Sequence, residues 1–189
     1  VTGDAYIDSY YDGTAVIGKY LMKFGYKVGV ISQPDINNAE DFSRLGAPKL
    51  FWGVSAGCVD SMVANYTALK KRRNSCDLTP GGENNRRPDR AVMKYANAIQ
   101  RFMKNTAPII LGGVEASLRR MAHYDFWDNS IRRSILADAK ADALVYGMGE
   151  SQILAIAQAI QNGDDYHHVR GICYMSKEIP EGYIELPAF

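Results

Sequence analysis

The sequence predicts an α/β domain of the doubly wound kind: a mostly parallel five-stranded sheet with helices on both faces and a C-terminal hairpin. Short apolar runs alternate with segments whose apolar residues recur at helical spacing, the pattern of repeated βα units. Those runs lack the polar alternation of a half-exposed strand, as expected where helices cover both faces of a sheet. Glycines follow them at once, most clearly in Ile109-Ile110-Leu111-Gly112-Gly113 and Leu144-Val145-Tyr146-Gly147-Met148-Gly149. A glycine at a strand exit lets the backbone turn sharply and approach a ligand closely. Ligands of open parallel sheets sit outside the carboxyl ends of the strands, so function is expected along one sheet edge.

Taken in order, Val1-Thr2-Gly3-Asp4 reads as the tail of a first strand, which suggests a fragment of a longer chain. The loop to Asp12 crowds Asp4, Tyr6, Asp8, Tyr10 and Tyr11 together. Thr14 can cap a helix whose apolar face is Val16, Ile17, Tyr20, Leu21 and Phe24, ended by Gly25. Lys27 to Ser32 is a second strand, and Asp41 to Gly46 a short helical turn. Leu50 to Val54 is a third strand, leaving through Ser55-Ala56-Gly57. A helix is expected from Asp60 to Leu69. Lys70 to Arg90 then carries seven basic and three acidic residues with Pro80-Gly81-Gly82, a loop long enough to suggest function or disorder. Pro88-Asp89 opens a helix with the face Val92, Tyr95, Ala96, Ile99 and Phe102. Pro108 to Leu111 and Ala143 to Tyr146 are the fourth and fifth strands, and Ser151 to Gln161 is an amphipathic helix stopped by Gly163. Val169 to Met175 and Tyr183 to Leu186, joined through Pro180-Glu181-Gly182, predict the closing hairpin. The arrangement is Rossmann-like or flavodoxin-like, with no internal repeat.

Composition narrows the function classes. A chain of 189 residues suits one domain. With 22 Lys+Arg against 21 Asp+Glu, the net charge of +1 exerts no global pull on nucleic acid or an anionic membrane. No apolar run approaches the roughly 20 residues of a membrane span. Cys58, Cys76 and Cys173 are far apart and odd in number, so no disulfide framework or paired metal ligand is predicted, and a reducing cytoplasm is the expected location.

Several residues are candidates for chemistry. Glu115 and Glu150 follow the two glycine turns; they would act as acids near a substrate or sit at helix N-termini, where a carboxylate meets the positive dipole end. Lys70, Lys71, Arg72 and Arg73, with Arg86, Arg87 and Arg90, could grip phosphates or RNA, or form a solvated charged face. His123 with Tyr124, Asp125 and Trp127 forms either a substrate wall or a histidine tied to Asp125 or Asp128. His167 and His168 read as a surface loop. Cys58 lies just past the Ser55 turn without a histidine near in sequence, and reads as a buried small residue.

Ordered blocks across nearly the whole chain then resemble one family. They include Thr2-Gly3-Asp4-Ala5-Tyr6-Ile7-Asp8, Lys70-Lys71-Arg72-Arg73, Thr79-Pro80-Gly81-Gly82 and Arg87-Pro88-Asp89-Arg90. Gly112-Gly113-Val114-Glu115-Ala116-Ser117-Leu118-Arg119-Arg120, Ala122-His123-Tyr124-Asp125, Arg132-Arg133-Ser134-Ile135-Leu136 and Tyr146-Gly147-Met148-Gly149-Glu150 continue the match. The sequence is similar to the N-terminal region of YgiQ-like radical S-adenosylmethionine proteins, in which a cobalamin-binding-type Rossmann-like domain precedes a radical S-adenosylmethionine barrel. The resemblance implies a Rossmann-like domain over residues 1–168. Residues 169–189 would be a hairpin and linker leading to a barrel in the same polypeptide. It further implies a four-iron-four-sulfur cluster and S-adenosylmethionine in the parent protein, acting on an unknown substrate in a reaction not established for the family. This chain would supply substrate-facing loops from Thr2, Asp4, Tyr6, Ser55, Gly112, Gly113, Glu115, Ser117, Arg119, Arg120, His123, Gly147, Gly149 and Glu150. Two departures are informative. The three cysteines lack the close C-x-x-x-C-x-x-C spacing that holds a cluster with one open iron, so the chain alone is expected to be inactive. No D-x-H-x-x-G is present, so histidine-bound cobalamin has no support in the sequence. The alternative is an independent phosphate- or RNA-binding domain using Lys70 to Arg90.

Overall fold

A computed structural model describes residues 1–6 and 13–187; the crowded aspartates and tyrosines from Asp8 to Asp12 lie outside these. The helices are α1 (Gly13–Lys23), α2 (Ala39–Ser43), α3 (Ser61–Asn65), α4 (Ala91–Phe102), α5 (Gly113–Leu118), α6 (Ile135–Ala139) and α7 (Glu150–Asn162). The strands are β1 (Trp52–Val54), β2 (Ile109–Leu111), β3 (His123–Asp125), β4 (Ser130–Arg132), β5 (Ala143–Val145) and β6 (Ile172–Tyr174). The main sheet has the order β1-β2-β5-β6. Its first three strands are parallel, with Trp52 opposite Ile109 and Ile110 opposite Ala143. Beyond β1 the sheet continues through single parallel bridges, Thr2 to Ser55 on one side and Thr2 to Ser32 on the other. The two expected N-terminal strands are thus present as chain passes, the first bridged on both sides and the second on one. Gly3 and Gly29 lie in these passes, and glycine weakens a strand interior.

Alternation along β2 sorts the core into two layers. Ile109 and Leu111 face α4, whose Val92, Tyr95, Ala96 and Ile99 are buried together with Trp52, Val54 and the α6 residues Ile135 and Leu136. Ile110 faces the other way, joining Ala143, Val145, Leu21 of α1 and Ile153, Ile156 and Ala157 of α7. Helices on both faces of a mostly parallel sheet make the fold doubly wound, as the periodicity predicts.

Two features differ from expectation. The C-terminal hairpin does not form: β6 pairs antiparallel with β5, with Ile172 opposite Val145, and residues 183–187 carry no strand. The open edge of β5 gives β6 a ladder and lets Ile172 and Tyr174 pack on the α7 core layer, whereas Tyr183 and Ile184 stay exposed. In addition, β3 and β4 form a separate antiparallel hairpin, with Tyr124 opposite Ile131, inside a stretch that carries no strand signal strong enough to predict it. Among the described residues no helix is long and apolar enough to cross a membrane.

One glycine is required by close packing. Gly57 has φ +108°, and a Cβ there would lie 2.2 Å from the Asp4 carboxylate. Gly53, in β1, has nothing within 4 Å of its Cβ position. Gly57→Ala is expected to cost about 2–4 kcal/mol through strain and displacement of Asp4, and Gly53→Ala less than about 0.5 kcal/mol. Chemical unfolding of the two variants side by side checks this.

Candidate functional site

The strand exits meet at the carboxyl edge of the sheet and are tied by direct bonds. Gly3 N–H donates to Ser55 O (3.2 Å) and Gln33 N–H to Thr2 O (2.8 Å). Gln33 Nε2 also donates to Gly3 O (3.0 Å) and Thr79 Oγ1 (2.8 Å). Gly112 N–H donates to Val54 O (2.9 Å). Ser55 Oγ accepts from Gly57 N–H (3.1 Å) and packs beneath Gly113, where a Cβ would come within 2.7 Å of that oxygen. Ser117 Oγ accepts from Gly147 N–H (3.2 Å), joining the exits of β2 and β5. Thr2, Ser55, Gly112 and Gly147 therefore share one rim.

Under that rim Glu115 is 1 % exposed. It lies in α5, but its carboxylate serves two other helices. Oε2 accepts from Ser61 N–H (2.8 Å) at the start of α3, and Oε1 accepts from Val92 N–H (3.0 Å) at the start of α4. Helix N-termini leave N–H groups without intrahelical partners and carry a partial positive charge; one carboxylate here meets both needs twice. Asp60 caps α3 through Met62 N–H (2.9 Å) and is paired with Arg119. Ser61 Oγ accepts from Ala91 N–H (3.0 Å). Burial and the neighbouring Asp60 push the Glu115 carboxyl above the usual carboxylate range, against the pull of Ser61 and Arg119.

A second buried pair closes the first strand exit. Arg87, 2 % exposed, is ion-paired with Asp4, and its Nε donates to Gly3 O (3.1 Å). Asp4 Oδ2 accepts from Cys58 N–H (2.7 Å). Burial and the Asp4 carboxylate push the Cys58 thiol up to about 11, so it is protonated at neutral pH and no nucleophile. Cys58, Cys76 and Cys173 are free. Among the described residues no three His, Cys, Asp or Glu side chains are grouped to hold a metal.

The basic segment is largely engaged with the chain itself. Lys70 Nζ donates to Trp127 O (3.1 Å) and lies 4.7 Å from the Phe126 ring centre. Arg72 donates to Asn84 O (3.0 Å), and Arg73 Nε to Tyr66 O (3.0 Å). Arg90 pairs with Asp125 (2.6 Å) and Asp128 (2.7 Å). Lys71 and Arg86 are exposed. Arg132 bridges Asp128 (3.0 Å) and Asp138 (2.8 Å), and Arg133 also pairs with Asp138 (2.8 Å). Burial pushes Asp125 up, but the Arg90 bond and the Trp127 N–H outweigh it and hold this carboxyl below its usual range.

The remaining candidates lie outward on the rim. Arg120 donates to Ser117 O (2.6 Å) and its guanidinium sits 5.0 Å from the Tyr146 ring centre. Glu150 and Gly149 are half-buried at the start of α7, Gly113 and Gly147 are exposed, and Tyr6 is exposed beside Ala5. His123 Nδ1 is bonded to Met121 O (3.1 Å) and is tied to neither Asp125 nor Asp128. His167 lies against Asp165 (2.5 Å), far along the chain from the rim residues. Sequence reasoning missed Asp60 and Gln33. Asp60 carried a readable signal, an aspartate immediately before Ser61-Met62-Val63 at a helix start; Gln33 carried none.

Glu115→Gln places an amide NH2 against a backbone N–H and should cost about 1–3 kcal/mol, the penalty of a buried unsatisfied donor, read as a lower urea midpoint. The depressed Asp125 carboxyl contributes stability that is present above its unfolded value near 4 and lost as pH falls through the lower folded value. Between pH 5 and the onset of acid unfolding, Asp125→Asn should flatten this part of the decline in urea midpoint with falling pH.

The family model described as "Radical SAM N-terminal" matches residues 1–189. A UPF0313 protein of Fusobacterium nucleatum is 54% identical over 189 residues, covering 100% of this chain and 33% of that one. A UPF0313 protein of Thermotoga petrophila is 55% identical over 192 residues, covering 100% and 34%. The chain thus spans about a third of the length of these relatives. Among solved structures, the radical S-adenosylmethionine methyltransferase TsrM of Kitasatospora setae superposes with a TM-score of 0.62 at 18% identity, over 93% of this chain and 28% of that one. A second TsrM structure, TM-score 0.60, holds cobalamin and a 4Fe–4S cluster. At that identity the likeness is one of fold, and in TsrM the parent of such a domain carries the cobalamin for which this sequence has no histidine motif. By the full-length family match and these relatives, the chain belongs to the radical SAM N-terminal family.

Proposed function

We propose that this domain is the accessory module of a radical S-adenosylmethionine enzyme, and that its strand-exit rim supplies loops facing the substrate of a barrel formed by the rest of the polypeptide. The observation that carries this reading is the convergence of the exits at Thr2, Ser55, Gly112 and Gly147 on one edge, bonded to one another. That edge is where open parallel sheets present ligand-facing loops. The relatives' threefold greater length supports a partner domain in the same chain.

The rim residues divide by role in this reading. Thr2, Asp4, Ser55, Glu115 and Arg119 are inward; they hold the loops in one geometry and keep water out of the sheet end. Tyr6, Gly113, Ser117, Arg120, Gly147, Gly149 and Glu150 form the outward layer, and His123 lines the small cavity beside Glu115 and Arg119. The Arg120 guanidinium, over the Tyr146 ring, has further N–H groups suited to a carboxylate or phosphate oxygen. The cluster and S-adenosylmethionine are assigned to the rest of the parent protein, since three separated thiols do not fit a cluster with an open iron. For cobalamin the sequence carries no D-x-H-x-x-G, and no residue of this domain is assigned to hold it.

In the full-length protein, Arg120→Ala and Glu150→Gln are expected to lower product formation by about tenfold or more, the loss of one positioned contact, at unchanged melting temperature. Full activity in Arg120→Ala, His123→Ala and Glu150→Gln, all normally stable, would remove the substrate-facing role.

A further inference from the structure

The β3–β4 hairpin is built inside out. In a strand pair with one buried face, apolar side chains turn to the core and polar ones to water. Here the inward side is charged: Asp125, 5 % exposed, is bonded to Arg90, and its neighbour Arg132 reaches Asp128 and Asp138. The outward side is apolar. Tyr124 and Ile131 are directly opposite one another in the ladder and are 57 % and 49 % exposed. Phe126, at the turn, is 50 % exposed. Such a pair stabilises a sheet by packing against something beyond it, and a two-stranded hairpin alone in water is marginal.

The hairpin is nevertheless held firmly. Besides its ion pairs, the Tyr124 hydroxyl donates to Asn129 Oδ1 (2.6 Å), and Trp127 packs on Tyr66 with ring centres 5.0 Å apart. The charged side fixes the hairpin to α4 and α6 and so presents its apolar side at a defined height and orientation.

We propose that the outward face of this hairpin, Tyr124 and Ile131 flanked by Phe126, is a docking surface for a segment from the remaining two-thirds of the same polypeptide. This rests on the reading above only in requiring that the rest of the chain folds beside this domain; it adds a contact outside the glycine rim. The choice of a tethered occupant follows from size. Three side chains cannot make the roughly 1,000 Å² that a stable bimolecular interface needs, but a segment on the same chain is present at millimolar effective concentration. The relatives, of which this chain covers 33% and 34%, have the additional chain length from which such a segment would come.

The test uses the full-length protein carrying Ile131→Cys, Phe126→Cys, Met148→Cys or Met22→Cys. Maleimide labelling of each site is followed by mass spectrometry in native buffer and in urea. Met22, on α1, and Met148, on the rim, are both exposed in this domain, and the buried native Cys76 reports that each variant is folded. Positions 131 and 126 are expected to label at least about tenfold more slowly than 22 in native buffer and equally in urea. Labelling of 131 and 126 as fast as 22 overturns the docking surface. Protection that disappears on dilution also overturns it, because the occupant is then a second copy. Position 148 reads the rim separately: protection there with an open hairpin sinks this inference alone, and the reverse leaves the hairpin contact standing without the rim.

Discussion

The strand-exit edge is held together by the buried carboxylate of Glu115. It joins to the longer α4 two short helices, α3 with five residues and α5 with six. Helices of that length are marginal in water on their own. By accepting from the first turns of α3 and α4 while residing on α5, Glu115 sets where the exits of β1 and β2 lie relative to the principal core helix. Asp60 and Arg119 form a second layer around it. Burying a carboxyl is costly unless it is hydrogen-bonded, and each oxygen of Glu115 has a backbone N–H of another helix as its partner.

The Asp4–Arg87 pair repeats the principle at the first exit. A guanidinium with no exposure is held by a carboxylate, a backbone carbonyl and a thiol. Between them the two buried clusters turn an edge of backbone turns into a rigid rim. Outward residues such as Arg120 and Glu150 can then be held in place without themselves being buried.

The alternation of strands and helices was legible because it follows from which faces are covered, and the runs around Ile110 and Leu144 are covered on both. Glu115 was legible as a helix-terminal carboxylate but not as the cap of other helices, because its partners lie 54 and 23 residues away. The same distance problem hides Arg87. Within a run of seven basic residues it looks like its neighbours, and its partner Asp4 is 83 positions earlier. The closing hairpin was predicted from two runs of suitable composition; composition does not tell a strand that a neighbouring sheet edge is a better partner than its own continuation. The β3–β4 hairpin escaped notice for a related reason: its inward face is charged, so it lacks the apolar-inward signature by which hairpins are recognised.

The direction of β6 has a consequence for how a larger molecule can be assembled. Since Ile172 lies opposite Val145 and Tyr174 opposite Ala143, the backbone crosses the sheet from the glycine exits toward the opposite end. A following domain that is to cover those exits must be reached by a path that doubles back along the outside of the sheet. The thirteen residues from Met175 to Pro187 can extend on the order of 40 Å, several times the length of a three-residue strand. That reach makes the return trip feasible.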